Sequence, residues 1–412
     1  MPGRCSALLL LAAAWWPGPE AGAAPEWSAR LRATPELHRL REESPFAPAS
    51  ELIGAGGERA RGEVEVRVRA DVLRAVVAGR AMARRDERPA NELLLLELHA
   101  EPEVFGQHLT LGKKVTSWDV GFGFRPLDLV QQDDRRAFHA FSAEGVPLAA
   151  WELFGEDWAL ALVHANPLRG RGPTPRDDEA LALRLYRRLA TLDLHLVARW
   201  SERAELESGL AFALVPGDAV ELHGSLRHAM RQERAVNPLA GGDGSPLASA
   251  PPLAWEVGRD RWAALAGFTV SPGLGLSVLA EAWYDPMASS AAEWRAMGEL
   301  ARQQRALLGD PGIPREAVLG NLAWGARFFD RPSLLRQNLL LRVSHRGERL
   351  EPAVDLLCTP EDGGLVATAS VSWEGDRSRL DAGVRWFGGR PGAAYRLLAE
   401  EALGYASWQL AF

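Results

Sequence analysis

Cysteine is nearly absent: the 412 residues hold two, Cys5 and Cys358. Two cysteines so far apart exclude both a disulfide scaffold and a cysteine-rich zinc module. No excess of positive charge exists either, since 47 Lys and Arg stand against 54 Asp and Glu, mixed along the chain, for a net charge of -7. A nucleic-acid partner needs a basic field and is therefore not expected. Long apolar runs are missing beyond the first residues. The one serious candidate for a spanning helix, residues 262–280, is uncharged but holds Ser271, Pro272 and Gly273 at its middle, which mark a turn between two strands. No His-x-x-x-His pair, phosphate-binding glycine loop or G-x-S-x-G elbow occurs, so neither metal nor cofactor is expected. Tyrosine is scarce, at 4, beside 15 Trp and 13 Phe, an imbalance that asks for a reason. Disorder is excluded by a hydrophobic share of 47%.

The first 23 residues have their own layout: Arg4, an apolar core over 7–16, Pro17 and Pro19, then Ala21, Gly22 and Ala23. A basic start, a short apolar core and a small-residue triplet describe a secretory signal peptide, with cleavage expected after Ala23. The core is too short to remain as a spanning helix. Cys5 precedes the core, whereas a lipid-anchoring cysteine would follow it.

Period-two alternation dominates the rest. Val64, Val66, Val68, Ala70 and Val72 share one face, and Glu63, Glu65, Arg67, Arg69 and Asp71 the other. The pattern recurs in Leu192 to Trp200, in Val220 to Arg227 and in Leu380 to Phe387, with short turns between neighbouring runs. Each run is about nine to twelve residues, the length a tilted strand needs to cross a bilayer. Soluble strands usually number about five or six. In lipid every backbone N–H and C=O must be paired, so a spanning sheet has to close on itself. The expected fold is thus all-β, a single transmembrane antiparallel barrel of about sixteen strands, within a range of about fourteen to eighteen. It is expected over 62–412, after a periplasmic lead-in at 24–61. Residues 237–252 read as a turn-rich loop. Residues 288–308 read as one short helix in a long loop, capped by Ser289 or Ser290.

The chain ends with Gly404, Trp408, Leu410 and Phe412 spaced so that the last three share a strand face. This terminus resembles the insertion signal of bacterial outer-membrane barrels, and the resemblance implies outer-membrane lipid and the barrel-assembly machinery as partners. A second stretch, L-T-L-G-K-K-V-T-S-W-D-V-G-F-G-F-R-P-L-D-L-V-Q over 109–131, is similar to a segment of alginate-export-like and related porin-type barrels through Gly112, Lys113, Trp118, Gly121, Pro126, Leu127 and Asp128. That resemblance implies an outer-membrane pore passing or exporting a small solute or a polysaccharide. Read from the residues alone, Lys113, Lys114, Trp118, Asp119, Arg125, Asp128, Arg135 and Arg136 are candidates for a charged constriction if the segment folds into the lumen; the alternative is a salt-bridged structural loop.

One enzymatic pattern is present. His223 and Ser225 lie two apart on a strand, and a histidine beside a serine activates it as a nucleophile, as in outer-membrane phospholipases with a His-x-Ser motif. In those enzymes the pair faces lipid, whereas alternation here sends it into the lumen. A porin-like channel is therefore the leading reading; a lipase-type enzyme and a soluble exported all-β protein are the alternatives. Inward positions carry both signs in similar numbers, which favours weak ion selectivity. Trp118, Trp151, Trp158, Trp200, Trp255, Trp262, Trp283, Trp324, Trp373, Trp386 and Trp408 fall near strand ends and are expected to form the aromatic girdles of a barrel. Oligomeric state is left open.

Overall fold

A computed structural model describes residues 24–85, 88–131, 142–170 and 177–412. The expected signal peptide and the candidates Arg135 and Arg136 lie outside the described residues. Among these, strands β1 (Glu26–Leu40), β2 (Gly57–Ala70), β3 (Leu73–Arg84), β4 (Ala90–Ala100), β5 (Glu103–Val104) and β6 (Gln107–Lys114) come first. Next are β7 (Val146–Phe154), β8 (Trp158–Ala165), β9 (Ala180–Leu189), β10 (Leu192–Ser201), β11 (Glu205–Gly217), β12 (Val220–Val236) and β13 (Ala254–Gly273). The last are β14 (Leu276–Tyr284), β15 (Gln337–His345), β16 (Leu350–Thr359), β17 (Gly364–Glu374), β18 (Ser378–Gly389) and β19 (Glu400–Ala411).

Each strand pairs antiparallel with its neighbours in sequence, and β1 pairs with both β2 and β19, so the sheet closes. The two-residue β5 only lengthens the β4–β6 hairpin, because β4 also pairs directly with β6. The wall therefore has 18 strands, the upper end of the range expected from sequence. Closure leaves no edge, the condition for a sheet in lipid.

The barrel begins earlier than residue 62. Residues 26–40, expected in a lead-in, form the first wall strand, paired along nearly their whole length with β2. The signal was weak because the outward side mixes Trp27, Leu31 and Leu37 with Ala29, Ala33 and Pro35, while Arg30, Arg32, Glu36 and His38 point the other way. The 288–308 helix is present as α2 (Ala291–Ala306), capped by Ser290 and Glu293 in a reciprocal capping box. It is not alone: α3 (Arg315–Ala326) follows it, and one-turn helices α1 (Ser50–Ile53) and α4 (Ala394–Leu397) sit in other loops. Two glycines, Gly320 and Gly325, obscured α3 in the sequence, yet Val318, Leu322 and Ala326 still fall four apart and are buried.

The two ends of the barrel differ. The start of β1, the end of β19 and the tight connections 71–72, 190–191, 218–219 and 274–275 lie at one end; the chain leaves β1, β6, β12 and β14 for long connections at the other. Short turns on one side and long loops on the other are how outer-membrane barrels are oriented, the turns periplasmic and the loops outside. Outward faces are apolar over many strands, with Val64, Val66 and Val68 on β2, Leu181, Leu183 and Leu185 on β9, and Leu339, Leu341 and Val343 on β15 all exposed. A contiguous apolar belt of that extent is a lipid surface, far beyond what a monomer shows to water. Inward faces carry buried Glu63, Glu65, His195, Arg199, Arg227 and Asp381, as alternation required.

The tryptophans divide. Trp27, Trp158 and Trp408 are exposed toward the short-turn end, and Trp200, Trp262 and Trp386, with Tyr284, toward the long-loop end. Those positions suit indole rings at the two lipid–water interfaces. Trp118 and Trp283 are instead buried inside the barrel, and Trp324 sits on α3 within a loop. Trp118 and Trp283 are near strand ends in sequence, but loop folding and alternation turn them inward, whereas Trp324 lies far from any strand.

Candidate functional site

Strand β6 ends at Lys114, with Lys113 opposite Leu98, while β4 runs on for several residues toward the long-loop end. The chain thus leaves the wall partway up and enters the lumen. Its first turn is organised by Asp128, whose buried carboxylate accepts from Ser117 Oγ at 2.9 Å, Trp118 N at 2.6 Å and Asp119 N at 3.0 Å. Asp119 in turn accepts from the backbone N–H groups of Val120 and Leu127. Burial raises the Asp119 carboxyl above its ordinary range, and those N–H donors oppose the rise. Arg125 donates to Gly121 O at 2.7 Å and Ser117 Oγ at 2.6 Å, and lies 3.8 Å from Asp128.

Apolar packing fixes the loop to one side. Trp118, Leu127, Leu129 and Val130 bury against Leu148, Ala150, Val163, Ala182, Val197 and Ala211 of β7 to β11. The wall is built small to receive them: a Cβ at Gly209 would stand 2.4 Å from Leu127 Cδ2. Farther on, Phe124 stacks on Trp283 at 6.0 Å between ring centres, over Ala263 and Leu265. Between these two patches the tip is held by Glu281 of β14, whose carboxylate accepts from Phe122 N at 2.6 Å and Gly123 N at 2.7 Å. The same carboxylate meets His223 Nε2 at 3.0 Å. Gly123 permits this approach, since a Cβ there would come within 2.9 Å of Leu340 Cδ2.

Opposite the loop a cavity of about 1530 Å³ follows the wall from β15 to β19. Phe46, Trp324 and Phe329 line it toward the long-loop end, and Ser372, Arg379 and Asp381 line it beside the 375–377 turn at the other. The lining thus reaches from one end of the barrel to the other. Its charges are Arg59, Arg327, Arg342, Arg379 and Arg385 against Glu144, Asp330, Asp355, Asp381 and Glu400. Several are cross-paired, Arg342 with Asp355 at 2.9 Å and Arg379 with Asp381 at 3.0 Å, and Arg385 donates to Thr368 Oγ1 at 3.1 Å. The long-loop end mixes aromatic and aliphatic side chains with Arg59, Arg327, Asp330 and Glu400, and the short-turn end is polar.

The sequence-derived candidates fall mostly behind this passage. Lys113 pairs with Glu144, Lys114 with Glu101 at 2.7 Å, and Arg125, Asp119 and Asp128 knit the loop itself. None of these five lines the cavity; from the described part of the loop, Phe122, Gly123, Gln131, Ala143 and Glu144 do. The residues that line the opposite wall, Arg342, Asp355, Arg379 and Asp381, come from strands where alternation alone pointed inward, with no motif to single them out. His223 and Ser225 are both buried in the lumen-facing row, beneath the loop tip and away from lipid. At the C-terminus, Trp408 is exposed on the outer face and Phe412 exchanges backbone hydrogen bonds with Ala29, locking the last strand to the first.

A closed 18-strand barrel with an inward loop on one wall and a lined passage on the other defines an outer-membrane porin fold. Solved structures agree. The chain is similar to Pseudomonas aeruginosa OccK5 (OpdH), with a TM-score of 0.53 and 11% identity over 94% of this chain and 98% of that one. Pseudomonas aeruginosa OccK11 (OpdR) gives 0.52 and 12% over 94% and 96%, and Acinetobacter baumannii OccAB1 gives 0.53 and 8% over the same shares. No family model matches the sequence, and no curated protein does. At these identities the likeness is one of fold.

Proposed function

We propose that the protein is a channel of the bacterial outer membrane through which small solutes diffuse passively. The observation that carries this reading is the cavity lined from the long-loop end to the short-turn end along β15–β19. Its five basic and five acidic lining residues supply no field of one sign. That supports weak ion selectivity and small solutes in preference to a polyanionic chain, which would need a continuous cationic track. The inward loop acts as the size filter through Phe122 and Gly123, while Lys113, Lys114, Asp119, Arg125 and Asp128 hold it in shape. On this reading the first 23 residues are a leader removed on export, and Trp408 and Leu410 of β19 with the following Phe412 present the outward face that the assembly machinery engages. Exposure of this face and its seam with β1 support that role.

The test is conductance of the refolded barrel in a planar lipid bilayer. Discrete steps are expected, with a reversal potential near zero under a potassium chloride gradient. Arg342→Gln, which leaves Asp355 without its partner, is expected to move that potential toward cation preference. A barrel that folds, as judged by heat-modifiable gel mobility, but does not conduct would overturn the reading.

A further inference from the structure

The wall of the passage is banded, and the bands follow from strand register. Across β15 to β18, Leu340, Leu357, Val366 and Phe387 stand side by side as cross-strand partners. Two residues nearer the short-turn end, Arg342, Asp355, Thr368 and Arg385 form the next inward row. Below them come Ser370 and Tyr405, then Ser372 and Asp381. All of these side chains line the same cavity, so an apolar band sits directly above hydroxyls and paired charges. The tip of the inward loop meets the wall at this boundary. The Phe122 ring centre lies 5.6 Å from the guanidinium carbon of Arg342, and the side chain remains 43% exposed.

The charges at this level are already engaged with one another. Arg342 Nη1 donates to both oxygens of Asp355, at 2.9 and 3.1 Å. Arg385 donates to Thr368 Oγ1 at 3.1 Å, and Asp381, next on the inward face of β18, is paired by Arg379 at 3.0 Å. A carboxylate solute would have to displace Asp355 from Arg342 and then remain beside it. An ammonium meets the same obstacle from the other partner. A hydroxyl both donates and accepts, and it displaces neither. Among the described residues Arg342 engages Asp355 through Nη1 alone, so its remaining N–H groups are available, and a carboxylate accepts more bonds than these two. Both side chains are open to the lumen, 27% and 20% exposed. A donor and an acceptor held side by side match two neighbouring hydroxyls.

We propose that the passage selects a neutral polyhydroxylated solute of monosaccharide size, its C–H face against Phe122 and the apolar band and its hydroxyls on Arg342, Asp355 and Thr368. A sugar ring has that division, with an apolar face suited to an aromatic ring and a rim of hydroxyls. The two bands are two residues apart along each strand, about 7 Å, which one such ring spans. Ser370, Tyr405 and Ser372 carry the hydroxyls on toward the short-turn end, so an advancing solute exchanges one set of hydrogen bonds for the next. This assignment names the solute of the channel proposed above and rests on that reading.

Saturation-transfer difference NMR on the folded barrel, in a detergent without a sugar head group, reads binding without requiring conduction. D-Glucose, D-gluconate and L-glutamine are titrated separately as neutral, anionic and zwitterionic probes. Saturable transfer to the glucose ring protons is expected, with weaker binding of the other two. Arg342→Gln with Asp355→Asn removes both charges and keeps the shapes. It is expected to weaken glucose binding by at least about tenfold, the equivalent of one lost charge-assisted hydrogen bond. Phe122→Leu is expected to weaken it by about three- to tenfold through loss of the ring face. That side chain is exposed at the loop tip, so this variant serves if the double variant does not fold. Absence of a saturable glucose signal overturns the proposal, as does tighter binding of gluconate or glutamine, or undiminished glucose binding in either variant. A conducting barrel that binds no glucose removes only the solute assignment, and a non-conducting barrel that binds it removes only the channel reading.

Discussion

Glu281→Gln tests how the inward loop is kept against the wall. The side chain is fully buried, and its two oxygens face three donors: Phe122 N, Gly123 N and His223 Nε2. Hydrogen bonds to a charged group contribute about 1.5–3 kcal/mol each, so the two from the loop supply about 3–6 kcal/mol. Burying Phe124 against Ala263, Leu265 and Trp283 adds about 1.5–3 kcal/mol. Ordering the short tip between Gly121 and Phe124 opposes this by about 1–2 kcal/mol per residue, or about 4–8 kcal/mol. The terms nearly cancel, so docking of the tip depends on the carboxylate. Glutamine keeps the shape but turns an N–H₂ toward one backbone N–H, losing at least one bond and about 1.5–3 kcal/mol. The ratio of undocked to docked tip should rise by about tenfold to a hundredfold, which makes the undocked tip the major form. The base of the loop remains fixed by Asp128 and the Trp118–Leu127 packing, so the barrel should still fold. Single-channel recording is expected to show flickering, with added noise in the open level. A variant as quiet as the parent, with the same mean conductance, would refute the argument that Glu281 latches the filter.

The remaining expectations concern the lipid face and the long loop. Leu341→Arg places a charge midway along β15 on the outer face and should cost about 2–4 kcal/mol of folding free energy in lipid vesicles, whereas Leu276→Arg beside a turn should cost about 0–1; equal losses in urea titrations would contradict the assigned depth. Ser290→Ala removes the cap of α2 and should cost about 1 kcal/mol, read as faster amide exchange in the first turn of that helix. Burial favours the protonated form of Glu293, but Arg234 and the Ser290 N–H and hydroxyl outweigh it and hold the carboxyl at about 2, below its ordinary 4.5. Because the folded value is depressed, its contribution is fully present above pH 4.5 and fades as pH falls toward 2. Protease resistance of the 285–336 loop should decline over that window, and Glu293→Gln should remove the pH dependence.

Much of the architecture was written in side-chain periodicity. A wall with lipid outside and water or polar groups inside forces alternation, so strands such as 64–72 and 192–200 announce themselves. Where the outward side uses alanine and proline, as in β1, the contrast fades and a wall strand reads as a lead-in. Strand number was legible only within limits, because short loops and strands share the same residue types. The inward loop was found through its glycines and charges, but the roles inside it were not separable: a buried Asp128 accepting three bonds and a pore-lining aspartate look alike in a sequence. Glu281, which holds the loop tip from more than a hundred residues away, carries no local mark. Trp118 and Trp283 show the same limit, since proximity to a strand end says nothing about which side of the wall a ring takes.

The passage keeps to one wall, and that wall contains the seam. Arg379 and Asp381 of β18 and Tyr405 of β19 line it, and β19 closes on β1. The filter loop, by contrast, rests on strands from the middle of the chain. An incompletely zipped barrel would therefore already hold its filter but have no finished conduit for the filter to narrow. The pairing that removes the last free edges also completes the wall of that cavity, so on the proposed channel reading closure of the sheet and completion of the conduit are one event.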